Sequence, residues 1–491
     1  MSKSYRQIFK ATSVFGGVQV FSIVINIIRY KFLAVLLGPA GMGIAALFTE
    51  TLNLVRSVTS FGLSTSAVKT VATAYAVGDE KKISQVVSVL KKWVWMTGIF
   101  GFVVALALSP VLSRLVFGST DYALSFALLA ITVLLADLSA GQAVILQGTR
   151  KIRYLAKSGI LGSLLGLITS IPLYYFFGSD GIVPAILITT LSALLLSWYF
   201  SNKVIIPTIN VSRSLVISQG RQMMQLGFML SLSGIITLAA SYLVRIYISR
   251  STGLADVGLY NAGFAIINSY AGLILAAMAT DYFPRLSGVA HDNKLAASEI
   301  NQQAEIAILI LSPILCIFLV YIDWAVILLY SEKFIAIKNM IHWAALGMYF
   351  KAACWAAGFL LLAKGNAKGF FWNELIVNAY LLCFNLVGYH YWGLTGLGLS
   401  FLLTYILYLV QIAVVARRWY GFRFKPGFLR LFAIQVLLGV ACFLVVKLSG
   451  GMVAYIAGSV IILLSTLYSL SEMNKRLDLK SMLKSIRQRV R

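Results

Sequence analysis

The chain has 491 residues, of which 60% are hydrophobic and only 12% are charged, and its mean hydropathy is +0.88. Soluble globular domains carry about 25% charged residues, so this composition excludes an ordinary soluble domain and predicts a polytopic membrane protein. The net charge of +25 is spread over many loops instead of forming one basic patch, which argues against a protein that binds nucleic acid.

Apolar stretches long enough to cross a bilayer follow one another along the whole chain. A transmembrane helix needs about 20 mostly apolar residues, and the alternating pattern of a membrane β-barrel is absent here. The sequence therefore predicts an all-α polytopic membrane protein with fourteen transmembrane helices. The predicted spans are residues 11–37, 42–76, 84–117, 121–148, 153–177, 181–204, 219–250, 255–285, 299–329, 337–363, 369–389, 393–416, 430–448 and 452–471.

Lysine and arginine are concentrated in every second loop, on the side of the membrane that also holds the N-terminus. Because cytoplasmic loops carry an excess of these residues, we predict that both termini are cytoplasmic. The histidines show no metal-ligand spacing and the chain contains no Walker A motif, so we expect neither a metal site nor direct use of ATP.

The chain repeats itself at long range, with matching residues about 215 positions apart. The matching pairs are Gly43 and Gly258, Ser84 and Ser298, Gly148 and Gly365, and Gly181 and Gly396. Six helices in each half give both halves the same orientation, which predicts two parallel six-helix lobes followed by two additional helices. The predicted domains are an N-lobe at 1–210, a C-lobe at 211–425, helices at 426–472 and a basic cytoplasmic tail at 473–491.

Cationic side chains occur inside several predicted spans, although a charge at the bilayer centre costs roughly 2.5 to 3.5 kcal/mol. The cations for which we expect a role are Arg29, Arg56, Arg245 and Lys351, whereas Lys31 lies nearer the end of its span. Such a set predicts a water-filled cationic chamber between the two lobes, with an anion bound in it. Snorkelling to the interface and buried ion pairs are the structural alternatives.

Polar and acidic residues accompany these cations along the same helices. Helical spacing predicts polar faces on the spans at 42–76 and 219–250, which should point inward. The polar residues expected to line the chamber are Asn53, Ser60, Ser241 and Asn378. The acidic residues that could couple transport to proton or sodium movement are Glu50, Asp137 and Glu374.

Five stretches resemble a known family: YKFLAVLLGPAGMGIAALF, LQGTRKIRYLAKSGILGSLLG, LLYSEKF, LLLAKGNAKGFFWNEL and YWGLTGLGLSFLLTY. By their order and spacing, the chain resembles the polysaccharide transporters of the MOP superfamily, in particular Wzx-type O-antigen or lipid III flippases. The resemblance covers residues 5 to 420, and the last two helices depart from the twelve-helix members.

The resemblance implies a non-enzymatic transporter in the bacterial inner membrane. Its substrate would be an undecaprenyl-diphosphate-linked oligosaccharide, such as an O-antigen or enterobacterial common antigen unit, exported to the periplasmic leaflet by alternating access. Arg29, Arg56, Arg245 and Lys351 would hold the diphosphate, since arginine forms bidentate hydrogen bonds to phosphate. No cofactor is implied, and the partners would be membrane lipids, a glycan polymerase and a chain-length regulator.

The sequence leaves alternatives open for both the driving force of transport and the substrate. Two negative charges that leave a cytoplasm held at about −100 mV gain about 4.6 kcal/mol, so the membrane potential could drive export with or without proton or sodium antiport. A lipid II flippase would move a similar lipid diphosphate. A MATE-type drug or ion antiporter shares the architecture, but a basic interior repels organic cations. A glycan polymerase or ligase would need a sizeable periplasmic loop, which the spans do not provide.

Overall fold

The computed structural model describes residues 3–77, 79–207 and 209–477. These residues are almost entirely helical and include no strand, which confirms the predicted all-α fold. The helices are α1 (Lys3–Thr59), α2 (Leu63–Val77), α3 (Glu80–Phe117), α4 (Ala123–Gly148), α5 (Ile152–Phe177), α6 (Ile182–Ser201), α7 (Arg213–Ser251), α8 (Leu254–Ala265), α9 (Gly272–Val289), α10 (Asn293–Leu329), α11 (Lys338–Ala363), α12 (Ala367–Tyr420), α13 (Pro426–Leu448) and α14 (Gly451–Leu477).

Helix α12 contains two of the predicted spans, and α1 contains one predicted span and the first part of the next. Helix α1 bends at Gly38, where φ is 66°, and α12 bends at Gly393, where φ is 53°. Glycine adopts such left-handed backbone conformations without steric cost, so these residues mark sharp turns between helices. Among the described residues, ten helices are long and apolar enough to cross a membrane, so the chain is a multi-pass membrane protein. The count of fourteen spans stays a prediction.

The span predicted at 42–76 is not one continuous helix. Helix α1 ends at Thr59 and α2 begins at Leu63, and between them φ is 49° at Phe61 and 62° at Gly62. A positive φ at a bulky residue such as phenylalanine is strained and persists only where the surroundings hold it. The sequence does not predict this break, because it has neither a proline nor two adjacent glycines there, and a single glycine such as Gly62 is a weak signal.

Helix α7 packs against this break with direct backbone contact. A Cβ atom added to Gly62 would lie 2.2 Å from the carbonyl oxygen of Gly227, and one added to Gly227 would lie 2.5 Å from the carbonyl oxygen of Gly62. Only glycine fits at either position without displacement. The two glycines therefore fix how closely α7 approaches α2.

The chain forms two compact units. Unit 1 comprises Met1–Gly258 with Leu329–Ser331, and unit 2 comprises Leu259–Leu328 with Glu332–Arg491. Helix α7 thus belongs to unit 1, whereas the lobe boundary at residue 210 stays a prediction. The predicted basic tail lies outside the described residues from 478 onward.

A matched glycine pair brings α8 against α1 within unit 1. A Cβ atom on Gly43 would lie 2.0 Å from the carbonyl oxygen of Leu254, and one on Gly258 would lie 1.9 Å from the carbonyl oxygen of Pro39. Each glycine therefore contacts the residue four positions before the other. Gly43 and Gly258 are also a pair in the long-range sequence repeat, so the two equivalent segments cross at equivalent points.

Unit 2 is organised around α11, which is buried along most of its length. The hydroxyl of Tyr282 on α9 donates to the carbonyl oxygen of Ala356 at 2.7 Å, which fixes α9 against α11. Helices α13 and α14 are joined by a buried amide, since Gln435 donates to Ser469 and accepts from Ser465, both at 2.8 Å. Hydrogen bonds of this kind join helices where the surroundings offer no water.

Candidate functional site: intramembrane charges of the two units

Arg56 lies at the end of α1 and forms an ion pair with Asp137 of α4. Its Nε lies 2.7 Å from the Oδ1 of Asp137, and one Nη atom donates to the carbonyl oxygen of Ala136 at 3.2 Å. Asp137 is only 5% exposed, and its Oδ2 has no hydrogen-bond partner among the described residues. A buried carboxylate with one unsatisfied oxygen is costly and depends on the arginine beside it.

Small residues on α3 allow this pair to form. A Cβ atom on Gly98 would lie 2.8 Å from the Leu134 side chain and 3.5 Å from the Cβ of Asp137. A Cβ atom on Gly101 would lie 2.7 Å from the Oγ1 of Thr59. Because glycine lets helices approach closely, α3 brings α4 and the end of α1 together at the depth of the ion pair.

Arg245 of α7 lies beside Glu50 of α1, with an Nη atom 3.7 Å from the carboxylate oxygen. One helical turn away, the hydroxyls of Tyr242 and Thr51 are 2.9 Å apart, and Thr51 is buried. This second contact fixes the rotation of α7 against α1. The side chain of Arg245 is 13% exposed, so the pair is partly shielded from solvent.

Arg29 of α1 has a weaker contact. It is half-buried and donates to the hydroxyl of Thr189 on α6 at 3.4 Å, a long hydrogen bond. The predicted polar residues of unit 1 lie on the same helices: Asn53 is exposed, whereas Ser60 in the α1–α2 break and Ser241 on α7 are half-buried. Unit 1 therefore contains three of the four predicted cations.

Lys351 lies in unit 2, in an aromatic environment. Its Nζ donates to the Oδ1 of Asn268 at 2.8 Å and lies 5.4 Å and 5.3 Å from the ring centres of Phe401 and Tyr405. These distances are within the range of cation–π interactions. Asn268 belongs to the π-helical stretch Ile266–Ala271, and such irregular turns are frequent at functional sites.

Glu374 and Asn378 are neighbours on α12. The amide of Asn378 donates to the backbone oxygen of Glu374 at 2.8 Å, a bond within one turn of the same helix. The carboxylate of Glu374 accepts a long hydrogen bond of 3.4 Å from the hydroxyl of Tyr408, which in turn accepts from Asn373 at 3.1 Å. Unlike Glu50 and Asp137, Glu374 makes no ion pair within the described part of the chain.

The structure changes the interpretation of the predicted acids. Glu50 and Asp137, expected only as coupling residues, lie against Arg245 and Arg56. Ion pairing, which the sequence analysis kept as an alternative, is therefore present at two of the four cations, while anion binding by these arginines stays a prediction. Sequence reasoning missed Asn268 and the aromatic rings beside Lys351, because these contacts join residues that are distant in the chain.

Half-buried ion pairs between arginine and a carboxylate have a definite chemical capability. The guanidinium retains N–H groups that can donate to phosphate oxygens. A diphosphate offers it the same bidentate geometry as the carboxylate. A bound anion would compete with the acid for the arginine, and protonation of the acid would favour the exchange.

The helical fold is similar to that of two solved membrane transporters. The chain superposes on an inward closed conformation of the lipid II flippase MurJ with a TM-score of 0.75 and 12% identity, covering 94% of this chain and 99% of that one. It superposes on an inward-facing multidrug resistance MATE transporter of the MOP superfamily with a TM-score of 0.65 and 14% identity, covering 84% and 98%.

Comparison of the sequence with family models shows the family to which the chain belongs. The sequence model of a polysaccharide biosynthesis protein family matches residues 32–339, and the chain belongs to this family. It is also 23% identical over 398 residues to the lipid III flippases of Escherichia coli (strain K12) and Shigella flexneri, a match that covers 79% of this chain and 93% of those proteins.

Proposed function

We propose that this protein is a flippase that moves an undecaprenyl-diphosphate-linked oligosaccharide from the cytoplasmic to the periplasmic leaflet of the bacterial inner membrane. The observation that carries the proposal is the set of arginines inside the spanning helices of unit 1: Arg29, Arg56 and Arg245. The similarity to lipid III flippases over most of both chains supports the same function. The glycan is an O-antigen or enterobacterial common antigen type of repeat unit.

In this proposal the arginines bind the diphosphate, and Asp137 and Glu50 hold Arg56 and Arg245 in its absence. The guanidinium groups of Arg56 and Arg245 each exchange a carboxylate for a phosphate oxygen, so their charge is compensated in both states and the cost of a bare cation is avoided. Asp137 and Glu50 then take up a proton or a sodium ion while the substrate is bound. Both termini are cytoplasmic, and the membrane potential favours outward movement of the negative headgroup.

A reconstituted flipping assay tests this function. Purified protein in proteoliposomes receives a fluorescent undecaprenyl-diphosphate disaccharide, and the label that reaches the outer leaflet is measured with an impermeant quencher. Arg56→Ala and Arg245→Ala are expected to reduce the rate at least about tenfold, since each removes a charge-assisted contact to the diphosphate. Arg114→Ala is the matched control, because Arg114 is an exposed arginine at the end of α3. Wild-type rates in both core variants would refute the assignment.

A lipid II flippase is the second candidate, because the superposition on the lipid II flippase MurJ covers nearly the whole of both chains. The same assay separates the two candidates. Lipid II carries a peptide on its disaccharide, so competition by unlabelled lipid II against the labelled oligosaccharide lipid measures the preference directly. Stronger competition by lipid II than by the unlabelled oligosaccharide lipid would favour the second candidate.

A further inference from the structure

Unit 2 contains a cavity of about 220 Å³ between α11 and both halves of α12. Most of its lining is aromatic and comes from Trp355, Phe359, Phe370, Tyr405 and Tyr408. Two charged side chains, Lys351 and Glu374, also line it, together with Gly358 and Leu362. Its volume is below the roughly 300–1,000 Å³ of sites for drug-sized molecules, so it suits a small ring-shaped group.

The two charged groups retain capacity for a ligand. Lys351 has three ammonium protons, of which one is used in the hydrogen bond to Asn268. Glu374 accepts one long hydrogen bond from Tyr408, whereas a carboxylate has about four lone-pair positions. The cavity therefore offers a donor, an acceptor and flat apolar surfaces in one place.

The lining discriminates among the groups that a lipid-linked substrate contains. An isoprenoid tail cannot form hydrogen bonds with an ammonium or a carboxylate, and both charged groups are costly beside hydrocarbon. A diphosphate would be repelled by Glu374, and an organic cation would be repelled by Lys351. A sugar ring fits both features, because its C–H faces are apolar and its edge carries hydroxyls that donate and accept.

We propose that this cavity is a sugar subsite, in which a pyranose ring of the substrate glycan packs on Trp355 while its hydroxyls bond to Glu374 and Lys351. The proposal rests on the proposed flippase function and assigns the glycan a binding place of its own in unit 2. Lys351 is then a sugar-binding residue, in contrast to the phosphate-binding role that the sequence suggested. Aromatic rings stabilise such contacts through their large apolar faces.

Binding of two lipids to the full chain in nanodiscs tests the subsite. The probes are undecaprenyl diphosphate and undecaprenyl diphosphate carrying one N-acetylglucosamine. The wild type should bind the glycosylated lipid about tenfold more tightly, and Trp355→Ala should remove this preference while the affinity for the bare lipid stays within about twofold. Trp355→Phe should keep part of the preference, because a flat ring remains. Trp372→Ala is the matched control, since Trp372 is 58% exposed and outside the cavity.

The outcomes separate the subsite from the function. Equal binding of both lipids by the wild type, or an equal loss for both lipids in Trp355→Ala, overturns the subsite but leaves the flippase assignment intact. Binding of neither lipid by the wild type overturns both. If tetraphenylphosphonium binds to the wild type and is lost in Glu374→Gln while glycosylated-lipid binding is unchanged, the cavity is a cation site and the proposal is wrong.

Discussion

In unit 1, Arg56 and Arg245 each lie against a carboxylate, whereas in unit 2 Lys351 lies against an amide and two aromatic rings. An ion pair cancels charge but leaves two groups that can each take another partner. A ring and an amide stabilise a cation without cancelling it. In the proposed function the two ion pairs of unit 1 exchange one anion for another, whereas in the proposed sugar subsite Lys351 donates to a neutral hydroxyl.

The largest effect on stability is expected from Asp137→Ala. This change leaves Arg56 without its carboxylate inside the bundle, and removal of one partner from a buried pair costs about 3 to 5 kcal/mol. Because Arg56 is 31% exposed, we expect the lower end, about 3 kcal/mol. The free energy of unfolding in mixed detergent micelles measures it.

The double variant Arg56→Met with Asp137→Leu is the matched control for this pair. It removes both charges, so most of the lost stability should return. A stable double variant without flipping activity would show that the pair serves transport. If Asp137→Ala is as stable as the wild type, the pair contributes nothing and the contrast between the units loses its basis.

A smaller loss, about 2 kcal/mol, is expected from Gly227→Ala, because the added methyl group meets the backbone of Phe61 and Gly62 in the break between α1 and α2. The displaced α7 should also weaken the contact between Tyr242 and Thr51 and the pair of Arg245 with Glu50. Gly234→Ala is the matched control on the same helix, since nothing lies within 4 Å of its added Cβ atom. Equal stability of the two variants, measured by thermal unfolding, would contradict the role given to the close contact.

Glu50→Gln tests the exchange at the second pair. The pair is separated by 3.7 Å and partly exposed, so the change in stability should stay below about 1 kcal/mol. If Glu50 competes with the diphosphate for Arg245, the variant should bind undecaprenyl diphosphate about threefold more tightly and turn over more slowly. Glu332→Gln removes an exposed carboxylate in unit 2 and should change neither quantity. Weaker lipid binding by Glu50→Gln would exclude the competition.

Much of the fold could be predicted because bilayer thickness and hydropathy dictate helix length. The turns at Gly38 and Gly393 were also readable, since glycine-containing breaks separate apolar runs. The break after Thr59 was not, because it is held by α7 packing on Gly62 from far along the chain. The cations were visible as charges in apolar segments, but their partners were not, since sequence spacing relates only residues on one helix.

The smallest effect is expected from Lys351→Met, which removes the charge and keeps the length of the side chain. Loss of the cation–π contacts and of the bond to Asn268 is offset by removal of a poorly hydrated cation, so stability should fall by less than about 1 kcal/mol. Lys351→Arg keeps the charge and should retain stability but not the geometry of the bond to Asn268. Both variants are compared by the free energy of unfolding. If Lys351→Met costs as much as Asp137→Ala, the surroundings of Lys351 stabilise its charge as strongly as Asp137 stabilises Arg56, and the contrast between these sites is wrong.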